Sequence, residues 1–386
     1  QTLALKGNPE EIYRGNRKFG CLEGPQLLKR EGWYYLIAAE GGTGYGHAVQ
    51  VSRSRMINGP YEMDTTGPLL TSRINPRPAE NDYTEDFLKP HFYNPELKLQ
   101  KAGHGSLIED DKGRSWLFHL CARPLMPQMR CVLNRETSLQ KVIWKEGWPV
   151  LMTGGCHPAD SIEIDGDIEQ TQDISCQGID NFDTKTLGTQ WYSLKAPLEE
   201  NWCSLTKTPG VLSIRGRNST YSAHDTSLVA RRIQHFNCLI ETTLDFNPGS
   251  YRQMAGLMVL TGSRTYYYLR KFYSRKLQSV ALGILVSRNG EPAELHETVT
   301  SVPGDSEITL RCRINQPLLQ FSYQIGNSKE IRVGSPQDAS ILSDEYTNNG
   351  PGAFDGSFCG MTAQDLDRHS QWAEFSNFSY REIESE

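Results

Sequence analysis

Short aromatic and β-branched runs, each closed within a few positions by Gly, Pro, Asn or Asp, recur along all 386 residues of this chain. Amphipathic stretches at helical spacing are almost absent. Runs of this length between turn residues are strand signals, so the chain is predicted to be all-β. In the first 150 residues, segments 33–39, 48–52, 106–109, 115–120 and 142–144 read as strands in repeated sheet units, consistent with propeller blades. After about residue 180, runs such as 238–244 and 265–270 alternate with polar turns, which fits a sandwich of two antiparallel sheets. The intervening stretch from 151 to about 179 is rich in Gly, Asp and Gln without a period and reads as a linker. The predicted division is therefore 1–155, a linker over 156–179, and 180–386. Segment 71–101, with Pro76, Pro78, Pro90 and Pro95, is long for a propeller turn and is predicted to be a pocket rim, a partner surface or a decorated loop.

With 37 % hydrophobic and 22 % charged residues, the chain is long enough for two real cores and is not disordered. A net charge of −6 argues against a nucleic-acid partner, and no apolar run approaches the roughly 20 residues that span a bilayer. Nine cysteines, an odd number without metal-ligand spacing, suggest reduced buried thiols rather than a disulfide framework.

Glu23 is the first candidate for chemistry. It sits in Cys21-Leu22-Glu23-Gly24-Pro25-Gln26-Leu27-Leu28, read as a short apolar turn, ahead of the strand-like Gly32-Trp33-Tyr34-Tyr35-Leu36-Ile37-Ala38. A carboxyl held there would be partly desolvated, which disfavours its ionised form, as a general acid working near neutral pH requires. The run Ala38-Ala39-Glu40-Gly41-Gly42-Thr43-Gly44-Tyr45-Gly46-His47-Ala48-Val49 follows. Further on come Gly103-His104-Gly105-Ser106-Leu107, Trp116-Leu117-Phe118-His119-Leu120, Arg123-Pro124-Leu125, Asn134-Arg135-Glu136-Thr137 and Gly147-Trp148-Pro149-Val150. These segments, in this order, resemble glycoside hydrolase family 43, specifically its β-xylosidase branch. The likeness continues through Gly352-Ala353-Phe354-Asp355-Gly356-Ser357-Phe358-Cys359-Gly360 and Trp372-Ala373-Glu374-Phe375 near the end.

The resemblance implies a five-bladed β-propeller, of which this chain holds the later part, followed by a lectin-like, jelly-roll β-sandwich. It implies an inverting exo-glycosidase acting on terminal β-1,4-xylosyl residues of xylo-oligosaccharides, with α-L-arabinofuranosyl residues as a further substrate. Inverting enzymes place an acid and a base about 6.5–9.5 Å apart to admit water. By motif match Glu23 is the acid. The water-activating Asp of the family, and the Asp that tunes its acid, have no matching motif here; neither Asp64 nor Asp86 is assigned as base. At roughly 40–50 residues per blade the first 150 residues supply some three blades, so the chain is expected to be the C-terminal part of such a protein. The rival reading is a catalytically incomplete carbohydrate-binding or structural fragment.

Arg135 matches the arginine that points into the sugar pocket, although Asn134 stands where the family has Gly; a surface ion pair with Glu136 is the competing role. His104 matches the histidine on the propeller axis. There it would bind a water or a calcium-centred hydrate, or be a satisfied buried histidine. Thr43 either approaches the substrate or caps its loop, and Phe354 is expected to reach from the sandwich to close the pocket, with Phe358 an ordinary core residue. No cofactor is required, with calcium at His104 left open. The expected partners are the xylo-oligosaccharide or arabinosyl substrate, with a second copy or a complementing N-terminal fragment left open, and neither nucleic acid nor membrane.

Overall fold

A computed structural model describes residues 7–15, 19–77, 86, 88–164, 177–222, 224–347 and 356–384. The chain divides into two compact units, one of residues 1–124 and 135–167, the other of 125–134 and 168–386. No helix among the described residues is long and apolar enough to cross a membrane.

The first unit holds two antiparallel sheets. In one, β1 (Glu23–Arg30), β2 (Trp33–Glu40), β3 (Ala48–Ser54) and β4 (Glu62–Met63) pair in sequence order, with β5 (Leu70–Thr71) also beside β3. In the other, β6 (Gln100–Glu109), β7 (Ser115–Ala122), β8 (Glu136–Lys145) and β9 (Trp148–Leu151) pair in the same nearest-neighbour way. This is the meander of propeller blades. Among the described residues two sheets stand where residue arithmetic predicts some three: between β5 and β6 they hold only a helical turn, Pro90–Phe92.

Residues with alternating or continuous apolar character make the core between the sheets: Tyr35, Ile37, Val49 and Val51 from the first meet Ala102, Leu107, Leu117 and Val142 from the second. The Tyr35 hydroxyl donates to the Gly147 carbonyl at 2.6 Å, and its ring meets Trp144 edge-on at 4.9 Å. The Arg53 guanidinium lies 4.3 Å from the Trp33 ring and 4.1 Å from that of Trp148, while donating to Glu62 and to the Gly147 carbonyl. Aromatic faces and a weakly hydrated cation stack favourably in this way.

β1 is a strand where the sequence suggests a turn. Its residues alternate exposed and half-buried. The Gln26 side chain crosses to the other sheet, donating from Nε2 to the Leu107 carbonyl at 2.8 Å and accepting from the Leu107 N–H at 2.7 Å. A side-chain amide thus takes the place of a ladder rung and ties β1 to β6.

The second unit is a sandwich. In one sheet Trp372–Glu382 lies between Leu212–Arg215 and Asn237–Asp245, followed by Ile308–Asn315, Leu318–Ile325 and Ile331–Asp338. The other runs Ser227–Arg232, Phe358–Asp365, Gln253–Leu260, Tyr266–Ser274, Ser279–Arg288 and Glu291–Glu294. Ile240, Leu257, Leu269, Ile284, Ile314 and Phe375 fill the space between. Gly178–Asp180, at the end of the stretch read as a linker, is already a strand beside Phe378–Tyr380.

Eight cysteines among the described residues are free thiols. Cys121 of the first unit and Cys238, Cys312 and Cys359 of the second are buried, and burial pushes Cys121 and Cys238 up to about 12 and Cys312 and Cys359 well above the ordinary thiol range. Cys21 is exposed.

Candidate active site

The first unit brings four of the sequence-assigned residues to one place. Glu23 opens β1, and the chain enters it through Gly24, whose φ of +55° lies in the left-handed region. A Cβ at Gly24 would stand 2.4 Å from His104 Nε2, so glycine serves both the turn and the close approach of the ring. The β1–β2 register shifts between Glu23 and Gln26, and the β6–β7 register shifts on both sides of Gly103, where Lys101 and His104 have φ of +55° and +47°. Bulges of this kind re-aim side chains at the rim of a sheet.

One ligand-type atom each from Glu23, His47 and His104 lies within 4.8 Å of the others. Sequence reasoning gave His47 no role. It is fully buried at the start of β3, its Nδ1 3.1 Å from the Lys101 carbonyl, and its Nε2 has no hydrogen-bond partner among the described residues. Burial pushes this imidazole down to about 3; the Lys101 carbonyl works the other way, and the charges of Arg135, His104 and His119 add to the fall. With Nδ1 next to a carbonyl, that nitrogen carries the proton. His119, also buried, is pushed down by desolvation and rests Nδ1 on the Leu120 carbonyl at 3.0 Å.

Arg135 is 6 % exposed and donates to the Thr43 carbonyl. It does not pair with Glu136, whose carboxylate is held by both arms of Arg123 at 2.8 and 2.9 Å. Thr43 is half-buried, in the loop after Gly41 and Gly42, both at positive φ. Asn134 has φ +53°, a conformation glycine adopts freely and asparagine tolerates, which accounts for its standing in glycine's position. Its amide serves the second unit, Oδ1 accepting from the Asp344 N–H at 2.9 Å.

Two expectations change. Glu23 is exposed rather than desolvated, because strand alternation turns it outward at the head of β1. His104 is exposed too, so it is not a satisfied buried histidine. Two imidazoles and one carboxylate make a nitrogen-rich donor set, whereas calcium takes six to eight oxygens, so a calcium ion here would be held through its waters, as the expected hydrate would be. Phe354 lies outside the described residues. Phe358 is half-buried in the sandwich, its ring edge-on to Tyr192 at 5.8 Å.

Residues 1–149 match the sequence pattern of glycosyl hydrolases family 43, and 179–381 match the beta xylosidase C-terminal concanavalin A-like domain. A xylan 1,3-beta-xylosidase of a Vibrio species is 33 % identical over 392 residues, covering 98 % of this chain and 68 % of that protein. The chain belongs to glycoside hydrolase family 43. Another member of similar identity is xylosidase/arabinosidase 43B of Humicola insolens, 34 % identical over 396 residues, covering 98 % of this chain and 67 % of that one. Among solved family 43 structures, the xylan beta-1,4-xylosidase from Bacillus halodurans C-125 superposes with a TM-score of 0.83 at 36 % identity, over 98 % of this chain and 68 % of that one. The propeller and sandwich expected from the motifs are thus both family 43 features of this chain.

Proposed function

We propose that this chain supplies the proton-donating side of an inverting exo-glycosidase that removes terminal β-1,4-xylosyl residues from xylo-oligosaccharides, with α-L-arabinofuranosides as a second substrate class. Family membership and relatives named as xylosidases and xylosidase/arabinosidases support the substrate class. The observation that carries the chemistry is the grouping of the Glu23 carboxylate, at the head of β1, with His104 and His47.

In this reading Glu23 protonates the glycosidic oxygen as the bond to the anomeric carbon lengthens and the ring gains oxocarbenium character. Arg135, beside His47 and anchored on Thr43, presents a planar, permanently charged fork to sugar hydroxyls. A water activated by a second carboxylate attacks from the opposite face. We assign no described aspartate to that role. The Asp64 carboxylate is engaged by the Thr66 N–H and hydroxyl, and Asp86 caps the Leu88 N–H.

Glu23→Gln tests the assignment. Hydrolysis of xylosides with poor leaving groups should fall by about 10²–10⁴-fold, the range of general acid catalysis, and activated aryl xylosides should suffer much less. Equal losses on both substrate types would remove Glu23 from the role.

A further inference from the structure

We propose that the sandwich unit carries a binding groove for a neutral oligosaccharide, built on Tyr192 and the short strand Gly178–Asp180. That the sugar is a xylo-oligosaccharide rests on the proposed function; the groove itself stands on the geometry alone.

The cavity holds about 570 Å³, within the roughly 300–1,000 Å³ of small-molecule sites. Its floor is fixed by groups that already have partners. Asp180 accepts the Trp191 indole N–H on Oδ2 at 2.8 Å and the Phe182 N–H on Oδ1 at 3.0 Å, and the Trp191 ring meets Phe378 edge-on at 5.0 Å. Arg231, 8 % exposed, lines the same cavity with its guanidinium 4.5 Å from the Tyr380 ring.

Tyr192 supplies a platform. Its N–H donates to the Ala230 carbonyl at 2.8 Å, its carbonyl accepts from the Ala230 N–H at 2.9 Å, and its ring is braced edge-on by Phe358 at 5.8 Å. The residue is nevertheless 52 % exposed, and Ile179 on the neighbouring strand is 69 % exposed. A rigid aromatic ring and an aliphatic side chain, both open to water in a cavity with polar walls, suit a ligand that has an apolar face and a polar edge. A pyranose ring has both: its C–H groups meet the negative face of an aromatic ring, while its hydroxyls project outward.

The rim supplies partners for those hydroxyls. Asn181, Thr189 and Gln190 are exposed, and their side chains make no hydrogen bond to another described residue. Each amide offers two donors and an acceptor, which matches adjacent sugar hydroxyls. Asp180 and Asp183 line the cavity together with Arg231. Charges of both signs favour an uncharged ligand over a phosphate or a uronate.

The test follows the δ1-methyl resonance of Ile179 in the full chain carrying Glu23→Gln, labelled at its isoleucine methyls, while the parent chain is assayed for xyloside hydrolysis. The resonance should move saturably with xylohexaose and stay in place with hexagalacturonate. Tyr192→Ala should weaken xylohexaose about two- to tenfold, the range of one lost aromatic contact. Asn181→Ala combined with Gln190→Ala, at exposed positions where folding is not at risk, should weaken it at least about fivefold, as two lost hydrogen bonds would. An unmoved Ile179 resonance, an equal response to hexagalacturonate, or unchanged affinity in both variants would overturn the groove. Saturable binding in a chain whose parent cleaves no xyloside would sink the proposed function and leave the groove standing, and xyloside cleavage with an unmoved Ile179 would do the reverse.

Discussion

Gln26 and Leu107, 81 residues apart, are joined by two hydrogen bonds that use both ends of one side-chain amide, at 2.8 and 2.7 Å. Because Glu23 opens β1 and His104 lies on β6, this pair fixes the distance between them. Gln26→Leu leaves both backbone groups of Leu107 without those partners and should lower stability by about 1–3 kcal/mol. Turnover should fall further than the folded fraction does; chemical denaturation and kcat on the same samples check it, and unchanged kcat in the folded protein would mean the bridge is structural only.

Arg135→Lys keeps the charge and loses the fork, so kcat/KM for a xyloside should drop at least about tenfold. Arg123→Lys is the control. Its guanidinium donates two hydrogen bonds to the Glu136 carboxylate, and the proposed function gives it no contact with the sugar. Equal effects of the two substitutions on kcat/KM would return Arg135 to the scaffold.

Gly24→Ala places a methyl against the His104 ring and forces a non-glycine residue into φ +55°. The left-handed backbone costs about 1–2 kcal/mol. Displacement of the ring should show as a shifted His104 imidazole resonance. An unmoved resonance would mean the local turn relaxes instead.

Asp365 gives the sandwich an acid-sensitive joint. Burial alone would raise its carboxyl, but the N–H groups of Gln371, Ser370 and Asp367, with the Gln253 amide, outweigh it and hold the group down to about 2. A lowered folded value stabilises above the ordinary carboxylate range, and that contribution is lost as pH falls from about 4 toward 2. Asp365→Asn should cost about 1–2 kcal/mol at neutral pH and flatten the stability profile over that window. A variant with the same acid limb as the parent would place the sensitivity elsewhere.

The all-β reading held because aromatic and β-branched runs such as 33–39 and 265–270 carry their strand preference locally. β1 escaped it: Gly24, Pro25, Lys29 and Arg30 are weak strand formers, and what makes Glu23–Arg30 a strand is pairing with Trp33–Ala39. The assignments of Glu23 and His104 rest on family motifs rather than on spacing, and the grouping of the two is visible only in the fold. His47 carried no local signal at all. Its place depends on the Lys101 carbonyl, 54 residues away, and on bulges that only the folded register creates.

The inward-facing thiols amount to a clock built into the chain. Cys121 belongs to the first unit and Cys238, Cys312 and Cys359 to the second, and a reagent that attacks thiolates must wait for each to open to solvent. Alkylation followed site by site would therefore time the breathing of propeller and sandwich separately. Heating in air would let the same sulfurs cross-link in the opened chain, so reversible melting of this protein belongs in reducing buffer.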